Sequence, residues 1–167
     1  AVPATTDALT FDATSTNNVT IDNVGTWSGG TFTIASGYTG TITQNVAITT
    51  GNFSQAAGTF TGGTTTIDVN GTYALSGGTF TSTSGNLQVS STFTISGSPT
   101  FTHSSGTVQF DTSNGVTITP STATFFNVTF NIAGGTKIIA DNNTLTVAGT
   151  LTLTDGVISQ TTIPATS

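Results

Sequence analysis

The chain is 167 residues long, enough for one domain with a buried core. Only 5% of its residues are charged: seven Asp, one Lys (Lys137), no Arg and no Glu, for a net charge of −6. With almost no cationic side chains it has nothing to neutralise phosphates or anionic headgroups, which excludes nucleic acid and charged membrane surfaces as partners. No apolar run approaches the length of a membrane span, so membrane insertion is excluded too.

Roughly a quarter of the chain is threonine, and cysteine and methionine are absent. Low charge alone would suit a disordered chain, but Val, Ile, Thr and 11 Phe supply the β-branched and aromatic content that disorder lacks. A nearly uncharged, oxidation-resistant, Thr/Gly/Ser-rich chain fits a secreted, extracellular or cell-surface location. The start Ala1-Val2-Pro3-Ala4 reads as a mature N-terminus after signal cleavage.

Taken in order, residues 1–22 read as an N-terminal strand or assembly segment. Short alternating stretches follow at Thr31-Phe32-Thr33-Ile34, Thr41-Ile42-Thr43 and Val46-Ala47-Ile48, in loose register, with Trp27, Phe32 and Tyr38 assigned to the interior. Residues 51–111 then repeat: GNFSQAAGTFTGGTTTIDVN, GTYALSGGTFTSTSGNLQVS, STFTISGSPTFTHSSGTVQFD. Stacked at a period of about 20 residues, these units superpose three apolar columns. They are Phe53/Tyr73/Phe93, Phe60/Phe80/Phe101, and the pairs Ile67/Val69, Leu87/Val89, Val108/Phe110. The one extra residue of the third unit falls beside Pro99, in a turn. Alternation resumes at Val116-Thr117-Ile118, Leu145-Thr146-Val147 and Leu151-Thr152-Leu153, and residues 159–167 form a tail.

Each column alternates apolar with polar, the signature of a strand with one buried face, and Gly, Ser and Thr between columns turn the chain. Nothing shows helical periodicity. Three short strands per period, each matching its equivalent one period later, predict an all-β chain. It is a single parallel β-solenoid over residues 1–167, with almost no helix and apolar residues stacked inside. About eight rungs at about 4.8 Å each would make a rod near 40 Å. An antiparallel sandwich would explain the alternation but not the fixed register.

The wording of residues 51–111, then VTITP, TFFNVTFN and LTVAGTLTLTDG, resembles the β-strand-repeat segments of very large bacterial surface proteins, over about residues 51–158. That resemblance implies extracellular, adhesin-like or fibre-forming solenoids.

Chemistry-bearing residues are sparse. Asp68 shares a column with Gln88 and Gln109, and Asp111 shares another with Asn70 and Ser90, so the clear repeats form no carboxylate pair of the kind glycoside chemistry needs. Neither an enzyme nor a cofactor or metal site is expected. His103 reads as an exposed turn residue, and Asp141-Asn142-Asn143 and Asp155-Gly156 as Asx turns in preference to a calcium site. Glycosylation sequons at Asn18, Asn52, Asn70, Asn127 and Asn142 match the number expected by chance in so Thr/Ser-rich a chain; covalent glycans would attach there.

Two functional readings remain. A solenoid has an open strand edge at each end, and this chain lacks the Lys, inward charges or cap that guard such edges. Val2-Pro3-Ala4-Thr5 also echoes Ile163-Pro164-Ala165-Thr166. The expected partner is therefore another copy of the chain, in an end-to-end structural filament or surface fibre built by stacking or terminal strand exchange. An inert adhesin stalk is the covalent variant. The alternative is ice binding through outward Thr-x-Thr ladders at Thr59/Thr61, Thr79/Thr81 and Thr100/Thr102.

Overall fold

A computed structural model describes residues 6–23, 29–111 and 115–160. Trp27, Pro3, Pro164 and the two echoing terminal tetrapeptides lie outside the described residues. The chain is an all-β parallel solenoid of about seven rungs, with about 21 residues per rung and no helix.

The first rung carries β1 (Leu9–Phe11) and β2 (Val19–Ile21), and the second β3 (Thr31–Ile34), β4 (Thr41–Gln44) and β5 (Ile48–Thr50). The third has β6 (Asn52–Gln55), β7 (Thr59–Thr61) and β8 (Ile67–Val69), and the fourth β9 (Tyr73–Leu75), β10 (Thr79–Thr81) and β11 (Asn86–Val89). The fifth has β12 (Phe93–Ile95), β13 (Thr100–Thr102) and β14 (Thr107–Asp111). Then follow β15 (Val116–Thr119), β16 (Thr124–Phe125), the long β17 (Asn127–Ile139), β18 (Thr146–Val147) and the long β19 (Leu151–Gln160). Three faces result. The first stacks β1, β3, β6, β9, β12, β15 and the end of β17. The second stacks β2, β4, β7, β10 and β13, with β16 and β18 as a separate pair beyond. The third stacks β5, β8, β11, β14 and the start of β17.

The predicted columns are the observed ones. Tyr73 pairs Phe53 on one side and Phe93 on the other. Phe80 pairs Phe60 and Phe101, and Leu87/Val89 pair Ile67/Val69 and Val108/Phe110. Every strand pairing is parallel, which rules out the sandwich. Phe32 and Tyr38 are buried, as expected. Hydrophobic stacking is continuous along the axis: Phe60 and Phe80 lie 5.0 Å apart and 9° from parallel. Such offset rings add cohesion to the burial itself.

Four details differ from the expectation. The rung number is about seven rather than eight, because the period lengthens away from the clear repeats, to 23 residues between Leu9 and Phe32 and 25 between Phe93 and Ile118. In the last rungs two of the three strands fuse, so that β17 and β19 each cross a corner unbroken, with register shifts between Phe130 and Thr136 marking the bend.

The third concerns Phe110, whose place in the column of Val69 and Val89 describes its backbone and not its packing. Its ring is wholly buried. It meets the Phe93 ring of the first face edge-on at 5.6 Å and stacks on Phe130 at 5.2 Å. A ring is longer than the valines below it, so Phe110 reaches across the core and ties the first column to the third. The fourth is Phe101, which ends its column only partly buried.

The interior also holds polar residues. Gln44, Thr50, Gln55, Ser82, Thr83 and Lys137 are buried. Gln44 and Gln55 sit two residues after Ile42 and Phe53, at inward positions of the alternation. Each closes a corner: the Gln44 amide donates to the Val46 and Thr66 carbonyls and accepts from the Gly63 N–H. The Gln55 amide donates to the carbonyls of Ala57, Gly58 and Thr79. These amides give inward-turned corner carbonyls a buried donor, at Thr66 and Gly58 in addition to a backbone N–H.

Candidate functional site

Three surface regions carry whatever chemistry the molecule offers: the second face, the acidic corner of the third face, and the open last rung.

On the second face, strands read Thr-Ile-Thr in β4 and Thr-Phe-Thr in β7, β10 and β13. The apolar centre points in and both threonines point out. Registers pair Thr41, Thr59, Thr79 and Thr100 in one file and Thr43, Thr61, Thr81 and Thr102 in a second, which Thr20 extends by one place. The ladder recognised in three rungs thus occupies four. The missing rung, Thr41/Thr43, lies 18 residues before Thr59/Thr61 and not 20, so a fixed period passes it by. Neither other face is uniform. The outward file of the first face runs Thr33, Ser54, Ala74, Thr94, and that of the third runs Thr49, Asp68, Gln88, Gln109, Thr129.

Asp68 stands beside Gln88 and Gln109, as expected. Asp111 ends β14 at the neighbouring corner, where its carboxylate accepts from the Ser90 hydroxyl at 2.8 Å and the Gln109 amide at 3.4 Å. The two carboxylates occupy different columns, yet they feel each other: burial first, and then the Asp111 charge, raise the Asp68 pKa. Lys137 points into the core from β17 between Val116 and Ile158, and its Nζ has no hydrogen-bond partner. Burial lowers its pKa, and the Asp111 charge partly opposes that. The inward position of Lys137 was legible in the sequence as the polar member of Thr-Lys-Ile-Ile, whose alternation places it with Ile139.

The remaining predicted residues serve the frame. Phe53, Phe60, Tyr73, Phe80, Phe93 and Phe110 are wholly buried, as are Ile67, Val69, Leu87 and Val89, with Val108 nearly so. None of them offers a surface to a ligand. Asn18, Asn52 and Asn127 each accept, through Oδ1, the backbone N–H of the residue one rung on, at Thr41, Thr72 and Thr150. Asn70 is exposed, and Asn142 is exposed in the left-handed region at φ 57°. Asn143 accepts the Ser121 N–H from the preceding rung and donates locally to the Asp141 carbonyl, and the Asp155 carboxylate accepts the Gly156 N–H at 2.7 Å in a local turn bond. His103 is half-buried and not exposed, because its ring lies against Phe126 at 5.4 Å. Among the described residues no three His, Cys, Asp or Glu side chains converge as a metal site would require.

At the far end, among the described residues, β19 pairs on one edge only, with β17. Leu151 and Leu153 continue the inner columns of Val128 and Phe130 but are 52% and 51% exposed, and Val157, past the corner and paired with Thr136, is 56% exposed. Their opposite numbers on the first rung, Leu9 and Phe11, are only partly covered.

No protein-family model, curated protein or solved structure matches the chain.

Proposed function

We propose that the chain is a structural subunit of an extracellular filament or surface fibre, joined end to end to further copies of itself. The observation that carries this reading is β19: ten residues of strand with one edge unpaired among the described residues, and two inner-column leucines half in water. Exposed strand edges recruit another strand, and β19, although bent at its corner, carries no Lys, Arg or Pro to deter one.

A second copy is the occupant that fits. Rungs of the solenoid already stack on one another in parallel, with apolar columns in line. The first rung offers such a rung, led by Leu9 and Phe11 in β1 and Val19 and Ile21 in β2. A head-to-tail contact of this sort does not close on itself, so it propagates into a filament. The composition supports an extracellular setting. A covalently continuous adhesin stalk would need no such contact.

Electron microscopy of the purified chain at neutral pH tests the reading. Unbranched filaments are expected, with an axial repeat of about 35 Å for about seven rungs. Replacing Leu153→Lys should shorten or abolish them while circular dichroism stays native. Isolated particles at every concentration would overturn the proposal and leave the stalk.

A further inference from the structure

We infer that the second face of the solenoid binds ordered water, so that the chain adsorbs to ice. The inference is independent of end-to-end assembly, because the face lies along the side of the rod and stays open whether or not the ends are covered.

The surface is a lattice. Eight threonines form two files over four successive rungs, paired residue for residue with no register shift. Neighbours within a file are about 4.8 Å apart and the two files about 6.6 Å apart, the strand spacing and the two-residue rise of a parallel sheet. Behind them Ile42, Phe60 and Phe80 are wholly buried. Phe60, Phe80 and Phe101 stack with ring planes 9° and 17° from parallel, so a continuous aromatic stack backs the wall.

The hydroxyls are unengaged. None of the eight side chains hydrogen-bonds to another described residue, whereas the buried Thr50 and Thr83 hydroxyls are taken up by main-chain carbonyls. Each outward Thr therefore offers water one donor, an acceptor and a methyl group, at spacings fixed by the backbone. Waters held on such a lattice are already positioned relative to one another. Joining them to a crystal then costs little further ordering, the usual advantage of preorganisation. No charge interrupts the files to impose a hydration shell of its own.

Composition alone does not account for this. The chain is Thr-rich throughout, yet Ser, Ala, Asp and Gln break the files on the other two faces. Nor does the face suit other ligands. Its aromatic rings point inward, so a polysaccharide finds no stacking platform. It also lacks the exposed Tyr, Trp or Arg that anchor protein partners.

The test is microscopy of single ice crystals in a solution of the native chain, with partition of the chain into a slowly growing ice front. Faceted crystals, a gap between melting and growth temperatures, and enrichment in the ice are expected. Thr81→Tyr, and separately Thr61→Tyr, should lose the faceting and the gap. Thr129→Tyr on the third face should keep both. Tyr suits a solvated strand, and thermal unfolding checks that each variant is folded. Rounded crystals and exclusion of the native chain from ice would overturn the inference. So would an equal loss in Thr129→Tyr, or retention on microcrystalline chitin or cellulose, abolished by Thr81→Tyr, without any effect on ice.

Discussion

Tyr73 and Phe93 stack one rung apart with ring centroids 4.7 Å apart and planes 4° from parallel, the tightest pair in an aromatic column that continues through Phe53 to Phe32. The column suits rings of one shape, and Tyr73 brings a hydroxyl into it that is buried without a hydrogen-bond partner. An unmet buried hydroxyl costs about 1–3 kcal/mol. Tyr73→Phe should therefore leave stability unchanged or raise it by about 1 kcal/mol, read as the urea midpoint at constant slope. A clear loss would mean that the hydroxyl is satisfied.

Phe80 stands where two aromatic columns meet. It is wholly buried and touches Phe53, Phe60, Tyr73 and Phe101. Phe80→Ala should cost about 3–5 kcal/mol, because a rigid stack collapses poorly into a cavity. Phe101→Ala, at the half-buried end of the same column, should cost distinctly less. Equal losses in thermal or urea unfolding would contradict the idea of a continuous stack.

Gly58, Gly78 and Gly97 turn successive rungs at one corner, all with positive φ. At Gly78, φ is +73° and an added Cβ would collide with the carbonyl oxygens of Gly58 and Ala57. At Gly115, φ is +68° but an added Cβ meets nothing within 4 Å. Gly115→Ala should thus cost only the left-handed strain of about 1–2 kcal/mol. Gly78→Ala should cost more, and the difference between the two in unfolding experiments isolates the clash.

The columns were legible because β10, β11 and their neighbours repeat with almost no insertion, so inward residues align by counting. Legibility failed where physical context replaces period. Thr41/Thr43 joins its face after a shorter interval, and Val116-Thr117-Ile118 after a longer one. Corner length is cheap to vary when turns lie in solvent. Counting also gives Phe110 its column but not its neighbours, since the reach of its ring to Phe93 depends on how far apart the faces lie. Gln44, Gln55 and Lys137 occupy inward places that alternation marks. Polarity by itself argues for solvent, and in two of the three cases the corner carbonyls that hold the amides inside are visible only in the fold. The fusion of strands in β17 left no sequence signal beyond the Gly134-Gly135 pair at its bend.

Stacking of chain ends should depend on charge. Asp7, Asp12 and Asp22 lie in or beside the first rung, and Asp141 and Asp155 in the last, so acidic side chains outnumber basic ones at both ends. End-to-end approach brings like charges together, so light scattering should report faster assembly at higher ionic strength. Acid should promote assembly as well, and Asp12 needs more of it than an ordinary Asp, since the hydroxyl and N–H of Thr14 bond its carboxylate and lower its pKa. Assembly indifferent to salt and acid would mean that the acidic ends do not meet.

Lys137 places the chain's single cationic side chain in its core, with no hydrogen-bond partner for Nζ. Burial favours the neutral amine and lowers the pKa, and the Asp111 charge only partly restores it. The unfolded chain, with an ordinary Lys pKa of about 10.4, therefore binds more protons than the native one between the two values. Stability must rise with pH across that window, and the full penalty applies below it. Lys137→Met keeps the length of the side chain without the amine. It should raise stability at neutral pH by about 1–3 kcal/mol, the cost of an unmet buried group, and should flatten the alkaline rise. Measurements belong below pH 10, because burial holds the Tyr73 pKa well above its ordinary value. Above the unfolded Tyr value only the unfolded chain ionises there, so stability falls with rising pH, the opposite sign. Urea unfolding at neutral and mildly alkaline pH separates the cases. A native chain that gains stability with pH beside a Lys137→Met variant that does not would locate the uncompensated amine in the core. Parallel profiles would show that the amine reaches a partner or water.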